Sequence, residues 1–262
     1  MAISFTVASP AVRIGPIQLA GVSAAMQVKA DALVAGQTGN GFDTENTAIG
    51  LRHAFEDLYQ DQGYAAVQVD LAEIDPPNVS DQSIDIRYLV TVREGGVYKL
   101  GTIGYPAGSL VTRAEVEKIL SKYPADSGRP LDLFLLAVRD AHHAKGYLDC
   151  SIVSRPAFNE DTHIVNYRLD IAPGSLYRMA AVQFDGAPDA LAAKLKRLWK
   201  LAPGEAFDES YVSSFAAFAQ KKDKQLGKWM QTVVVTYDVK ADPESHQVNC
   251  IFHFAKAAQS GR

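Results

Sequence analysis

The hydrophobic positions of this chain change period in a fixed order, and that order comes three times. The middle passage is the clearest. Residues 98–103 read as a short strand, bounded by Gly95-Gly96 before and Pro106-Ala107-Gly108 after. Val116, Ile119, Leu120 and Tyr123 then fall at i, i+3, i+4 and i+7, one apolar helix face. Thr112 stands three residues before Glu115, a spacing in which each side chain can satisfy a free N–H of the other's backbone. Pro124 stops that helix. A second helix takes Phe134, Val138 and Ala141 as its buried stripe, with Asp132 as its N-cap and Gly146 as its end. Leu148, Cys150 and Ile152 alternate with Asp149 and Ser151, the period of a strand. After the turn-like Asn159-Glu160-Asp161, a last strand covers residues 164–171. The predicted unit is strand, helix, helix, strand, strand.

The flanking passages follow the same plan. Gly-x-x-[Phe/Leu]-Asp occurs as Gly39…Phe42-Asp43, Gly128…Leu131-Asp132 and Gly204…Phe207-Asp208, and each aspartate is expected to open a helix. That helix buries Ala48, Leu51, Phe55 and Leu58 in the first copy. In the third it buries Val212, Phe215, Ala219 and Leu226. Each ends in glycine followed closely by an aromatic: Gly63-Tyr64, Gly146-Tyr147 and Gly227-Lys228-Trp229. Strand pairs are expected at 65–74 and 84–92, and again at 232–239 and 247–254. Leu191, Leu195, Leu198 and Trp199 support the first helix of the third copy. The first helix of the first copy, near 24–35, has the weakest pattern.

The repeat is visible residue by residue. Tyr88 falls on Tyr167, Gly95 on Gly174, Tyr98 on Tyr177 and Ile103 on Val182. Arg13-Ile14-Gly15-Pro16-Ile17 matches Lys99-Leu100-Gly101-Thr102-Ile103. A period near 80 residues means tandem small domains, each burying a modest core. The expected fold class is α+β: three tandem β-α-α-β-β modules, each a three-stranded mixed sheet with two helices on one face. Module 1 is placed at 11–95, module 2 at 96–174 and module 3 at 175–256. Residues 1–10 read as the remnant last strand of an upstream module or as a linker, and 257–262 as a tail. The joints, Glu94-Gly95-Gly96 and Pro173-Gly174-Ser175, are too short for independent tumbling and suit hinges in a semi-rigid arm.

Composition removes several classes. A net charge of −4 over 262 residues gives no basic field, so nucleic acid is not an expected partner. No apolar run approaches 18 residues, so no helical membrane span is expected, and Met1-Ala2-Ile3-Ser4 does not open a signal peptide. Cys150 and Cys250 lie in different repeats, and Cys150 reads as a core residue. His142-His143 is the obvious metal suspect. Helix neighbours at i and i+1 point about 100° apart, so the pair is expected on a solvated helix face. Gly36–Gly41 is glycine-rich but lacks the lysine of a phosphate loop. Asp43, Asp132 and Asp208 recur at helix starts, which is capping rather than paired-carboxylate catalysis. Lys221-Lys222-Asp223-Lys224 is expected on a solvated helix face. No catalytic residue, cofactor or metal is expected.

The joint [Glu/Pro]-Gly-x-x-Tyr-x-[Leu/Met], the central Gly-x-x-[Phe/Leu]-Asp and the Gly-Tyr closing the second helix together resemble tandem POTRA (polypeptide-transport-associated) domains, from Val12 to Phe254. Module 3 departs with Gly-Lys-Trp, and module 1 with a long segment before Phe42. The resemblance implies the periplasmic arm of an Omp85-type outer-membrane protein, in which a membrane barrel follows the last module. No such barrel is in the sequence, so it reads as a periplasmic piece of a larger protein. The implied partners are unfolded outer-membrane proteins or secreted clients, and accessory lipoproteins. They would add a strand to the open edge of a sheet, where N–H and C=O groups are unpaired. In this family the second strand of each module is that edge. Carried over, the candidate residues are Val67, Gln68, Val69, Asp70 and Leu71, then Asp149, Cys150, Ser151 and Ile152, then Thr232, Val233, Val234, Val235 and Thr236. The last stretch is the most β-prone and, as an edge, the most apt to recruit another strand. Val67, Val69 and Leu71 are expected to face the core, Gln68 and Asp70 the other way. The same arm in a two-partner-type secretion transporter, or modules of a cell-division scaffold, is the alternative role. An enzyme with its site between modules would need converging acid, base or metal groups at the joints, which hold Gly, Tyr and Glu94.

Overall fold

The computed structural model describes residues 10–80, 82–124 and 128–256. The leader, apart from Pro10, and the tail lie outside the described residues, so the upstream-strand reading falls outside them too. The element order repeats. Module 1 comprises β1 (Ala11–Ala20), α1 (Ala24–Gln37), α2 (Thr47–Gln60), β2 (Gln68–Val79) and β3 (Ser83–Arg93). Module 2 comprises β4 (Lys99–Gly104), α3 (Arg113–Leu120), α4 (Pro130–His143), β5 (Ser151–Asn159) and β6 (Ile164–Ala172). Module 3 comprises β7 (Arg178–Asp185), α5 (Asp189–Leu198), α6 (Glu209–Lys222), α7 (Lys224–Met230), β8 (Val233–Asp242) and β9 (Gln247–Lys256). The three sheets have the orders β1-β3-β2, β4-β6-β5 and β7-β9-β8. β1 runs parallel to β3, and β7 to β9, while β2 and β8 pair antiparallel with the same central strands. The third strand of each repeat therefore lies in the middle, and the second lies outside.

Among the described residues, those from 10 to 102 with 157–166 form one compact unit, and those from 103 to 156 with 167–256 another. In the first unit, Met26, Leu51, Phe55, Tyr59, Tyr88 and Val90 make one core between helices and sheet. The second unit holds two separate cores. Val111, Val116, Phe134, Val138 and Leu169 form one, and Tyr177, Leu195, Phe207, Phe215, Leu226 and Phe252 belong to the other. The predicted stripes supply these cores, one per repeat. α1 had a weak pattern because apolar residues lie on both its sides: Met26 and Ala30 are buried, while Val28 is 79% exposed.

The capping box before α3 is present. Thr112 Oγ1 accepts from the Glu115 N–H at 3.3 Å, and Glu115 Oε2 accepts from the Thr112 N–H at 2.7 Å. Lys145 Nζ adds an ion pair at 3.0 Å. The backbone N–H of Thr112, then Lys145, hold the Glu115 carboxyl down to about 2, from a usual 4.5. A depressed folded-state pKa stabilises above the unfolded value and loses that stabilisation as pH falls through the folded value. Melting curves of the parent and of Glu115→Gln should therefore differ at pH 5.5 and converge between 4.5 and about 2. A gap independent of pH would remove the charge from the account.

Four expectations need correction. Asp132 does not cap α4: the N-cap is Arg129, Pro130 fills the first turn, and Asp132 pairs with Arg129 at 2.5 Å. In the third copy one helix becomes two. Asp223 leaves helical geometry, accepts from the N–H groups of Gln225 and Leu226, and takes Lys194 Nζ at 2.7 Å. The charged run around it spans a helix junction, its lysines exposed as expected, and Gly227 sits inside α7 instead of ending a helix. β5 begins at Ser151, so Asp149 and Cys150 precede it; Asp149 is held outside the strand by the Tyr177 hydroxyl, at 2.8 Å. His142 is not solvated. It is fully buried, with Nδ1 2.8 Å from the Val138 carbonyl one turn back.

Candidate strand-pairing edges

β2, β5 and β8 are outer strands, as the second-strand reading requires. A three-stranded sheet has a second edge, and in modules 1 and 3 the chain's own loop bonds the start of it. Ile14 donates its N–H to the Asn40 carbonyl at 2.8 Å and accepts from Gly39 at 2.7 Å; Phe42 donates to Val12 at 3.1 Å. The third copy repeats this bond for bond. Met179 donates to Glu205 at 2.9 Å and accepts from Gly204 at 2.7 Å, and Phe207 donates to Tyr177 at 3.0 Å. Gly39 and Gly204 both take φ +87, the left-handed turn that brings the loop alongside the strand. The motif Gly-x-x-Phe-Asp is thus a strap over the first strand. Asp208 is the N-cap of α6, as expected, whereas the N-cap of α2 is Asn46 and Asp43 accepts from Glu45 and Asn46 in the turn before it. Sequence reading found only the helix-start half of this motif. The spacing of glycine to aromatic was the signal for the other half, since Phe207 is fully buried and Phe42 packs on the first core.

The predicted edge residues divide by face. In β2, Val69 is buried and Leu71 half-buried against the first core, while Gln68 and Asp70 are exposed, Asp70 paired with Arg93. Val67 precedes the strand and packs on the same core. In β5, Ser151 is exposed and Ile152 packs on the second core. Thr232 lies just before β8 and donates its hydroxyl to the Trp229 carbonyl at 2.7 Å. Val233 and Val235 pack on the third core, with Val234 53% exposed and Thr236 exposed. The triple valine therefore alternates, as expected of a strand with one wet side.

The joints repeat as closely. Gly95 and Gly174 take φ +69 and +77. Beyond each, a tyrosine donates its backbone N–H to the glycine that ends the preceding helix: Tyr98 to Gly63 and Tyr177 to Gly146, both at 2.8 Å. Each phenol donates to a carboxylate, Tyr98 to Glu160 at 2.7 Å and Tyr177 to Asp149 at 2.8 Å, and these bonds hold both phenols above their ordinary range. Glu94 accepts from the Ser23 N–H at 2.7 Å and the Tyr59 hydroxyl at 3.0 Å. Burial first, then Glu94, raises the Tyr59 phenol. Pro173 and Ser175 are half-buried, and Gly96 lies against the Tyr98 ring. These groups brace backbone and do not converge on a reaction centre. His143 Nδ1 meets Glu209 at 2.5 Å and lowers that carboxyl.

Among the described residues, no group of three or more His, Cys, Asp or Glu could hold a metal ion. Both cysteines are free thiols, and burial pushes the Cys250 thiol up to about 12. Among the described residues, no helix is long and apolar enough to cross a membrane.

No protein-family model and no curated protein matches the chain. Solved structures do. POTRA3-5 of BamA from Haemophilus influenzae matches with a TM-score of 0.56 at 14% identity, over 94% of this chain and 96% of that one. BamA from Haemophilus ducreyi lacking POTRA domains 1-3 matches at 0.42 and 15%, over 61% of this chain and 30% of that one. POTRA1-3 of the periplasmic domain of Omp85 from Anabaena matches at 0.29 and 14%, over 95% and 96%. Element order, sheet order and the match to the Haemophilus influenzae domains agree, and the chain has the fold of three tandem POTRA domains.

Proposed function

We propose that the chain is a periplasmic POTRA arm of an outer-membrane β-barrel assembly or protein-translocation protein. It binds unfolded clients or accessory proteins by strand addition and spaces them from a membrane barrel. Its role is non-catalytic. The observation that carries this reading is the strap: in modules 1 and 3 the first-strand edge is hydrogen-bonded by the chain's own loop, while the second strand, β2 or β8, stays outermost. An extended client segment gains main-chain bonds there with little dependence on sequence, which suits many barrel proteins. Each bond nets only about 0.5–1.5 kcal/mol, so several modules act together. The modules are those bounded near residues 95 and 174, and the arm bends at Glu94-Gly95-Gly96 and Pro173-Gly174-Ser175.

Photoreactive probes test the edge reading. An outer-membrane barrel protein diluted from urea should crosslink to probes at Gln68, Ser151 and Val234. It should crosslink weakly to probes at the exposed helix positions Gln27, Glu117 and Lys196. Equal labelling from both sets would refute strand addition.

A further inference from the structure

We propose that β8 and the cavity beside it form the principal docking edge, taking an extended segment that carries an acidic side chain opposite Tyr237. This rests on the reading of second strands as client edges and adds which edge and which client chemistry.

The three edges are not equally open. β2 carries Pro76 and Pro77, and its register with β3 shifts between Ile74 and Asn78. β5 carries Pro156. Proline offers no N–H, and proline and bulges are how natural sheets guard an edge against added strands. β8 has no proline and pairs with β9 in unbroken register from Val233↔Lys256 to Asp242↔Gln247. Its outer row of N–H and C=O groups is therefore continuous over 10 residues.

The charge preference comes from what lies on the helix side of β8. Val233, Val235 and Val239 pack toward the third core, so odd-numbered residues face the helices. Tyr237 shares that side, with its ring 5.7 Å from that of Phe252. A cavity of about 650 Å³ opens there, and Tyr237 lines it with Lys122, Arg139, Asp140, His143 and Glu209. Both carboxylates are engaged: Glu209 by His143, Asp140 by the Tyr123 hydroxyl. Lys122 and Arg139 make no ion pair among the described residues. In a paired strand the residue directly opposite Tyr237 has its Cβ about 5 Å away and points to the same face. Its side chain enters the cavity. A carboxylate there meets Lys122 and Arg139, the latter shared with Glu209 across the cavity, and an ammonium adds to their charge.

The probe is a fluorescein-labelled seven-residue peptide, Thr-Val-Thr-X-Thr-Val-Thr, with X as Glu, Gln or Lys. Binding is followed by anisotropy, and the site by amide shifts in nitrogen-15 spectra. The Glu peptide should bind about fivefold more tightly than the Lys peptide, the size of a partly exposed ion pair. Its amide shifts should centre on β8. Lys122→Glu with Arg139→Glu, both exposed positions, should invert the preference. Equal affinity for all three peptides, or shifts as large on β2 or β5, would overturn this inference while the edge reading stands. If no peptide binds and the barrel protein labels edges and helices alike, both fall.

Discussion

Alanine at Gly21 or at Gly186 is expected to destabilise its module by about 2–4 kcal/mol. The two glycines are equivalents, each at the end of the first strand of its repeat. Their φ angles are +76 and +80, where an L side chain costs about 1–2 kcal/mol. Space is the larger obstacle. A Cβ on Gly21 would lie 2.2 Å from the Val92 carbonyl oxygen, and on Gly186 2.4 Å from that of Phe254. Both oxygens belong to the central strand, so relief requires the backbone to move. Gly36 and Gly50 provide the contrast: both lie in helices with nothing within 4 Å of an added Cβ. Alanine there should stabilise by about 0.5–1 kcal/mol. Urea denaturation of the four variants, read as shifts in midpoint, tests the pair against the controls. A Gly21→Ala midpoint at or above that of Gly50→Ala would discredit the close approach of the two strands.

Phe215→Ala is expected to cost about 3–5 kcal/mol, and to cost it in one place. Phe215 is 1% exposed, with Phe252, Trp199 and Phe184 rings at 5.4, 4.9 and 5.9 Å. Removing it leaves a void that three other aromatic rings cannot fill without leaving their own partners. The first core shares no residue with this one. Amide hydrogen exchange should show β7, β8 and β9 losing protection while β1, β2 and β3 keep theirs. Equal loss in both sheets would mean that the repeats do not carry separate cores.

The repeat was legible because the period of apolar positions changes at the same points in each copy. Val116, Phe134, Phe55 and Phe215 all lie where the periodicity put them, and the outer position of the second strands is what the POTRA resemblance implied. What the pattern concealed was backbone chemistry. Asp223 interrupts a helix although Leu226, beyond it, still falls on the buried stripe, so periodicity ran straight through the break. His142 looked solvated because its polarity outweighed its position, one residue after buried Ala141 on the inner face of α4. Asp149 sat in a period-two stretch, but the Tyr177 hydroxyl, 28 residues away, fixes it in a turn. Such pairings have no local signature. The strap was half legible: its glycine, aromatic and aspartate were all found, but a loop lying along a strand has no periodicity to read.

The strap has a bearing on self-association. A sheet with both rims free can join copies end over end, and nothing limits the filament that results. With the start of one rim occupied from within, two copies of module 1 or of module 3 would meet most readily at their second strands, as a two-fold pair. The same few loop residues that choose the side on which a guest strand enters would thus also favour pairs over filaments within any single sheet of this kind.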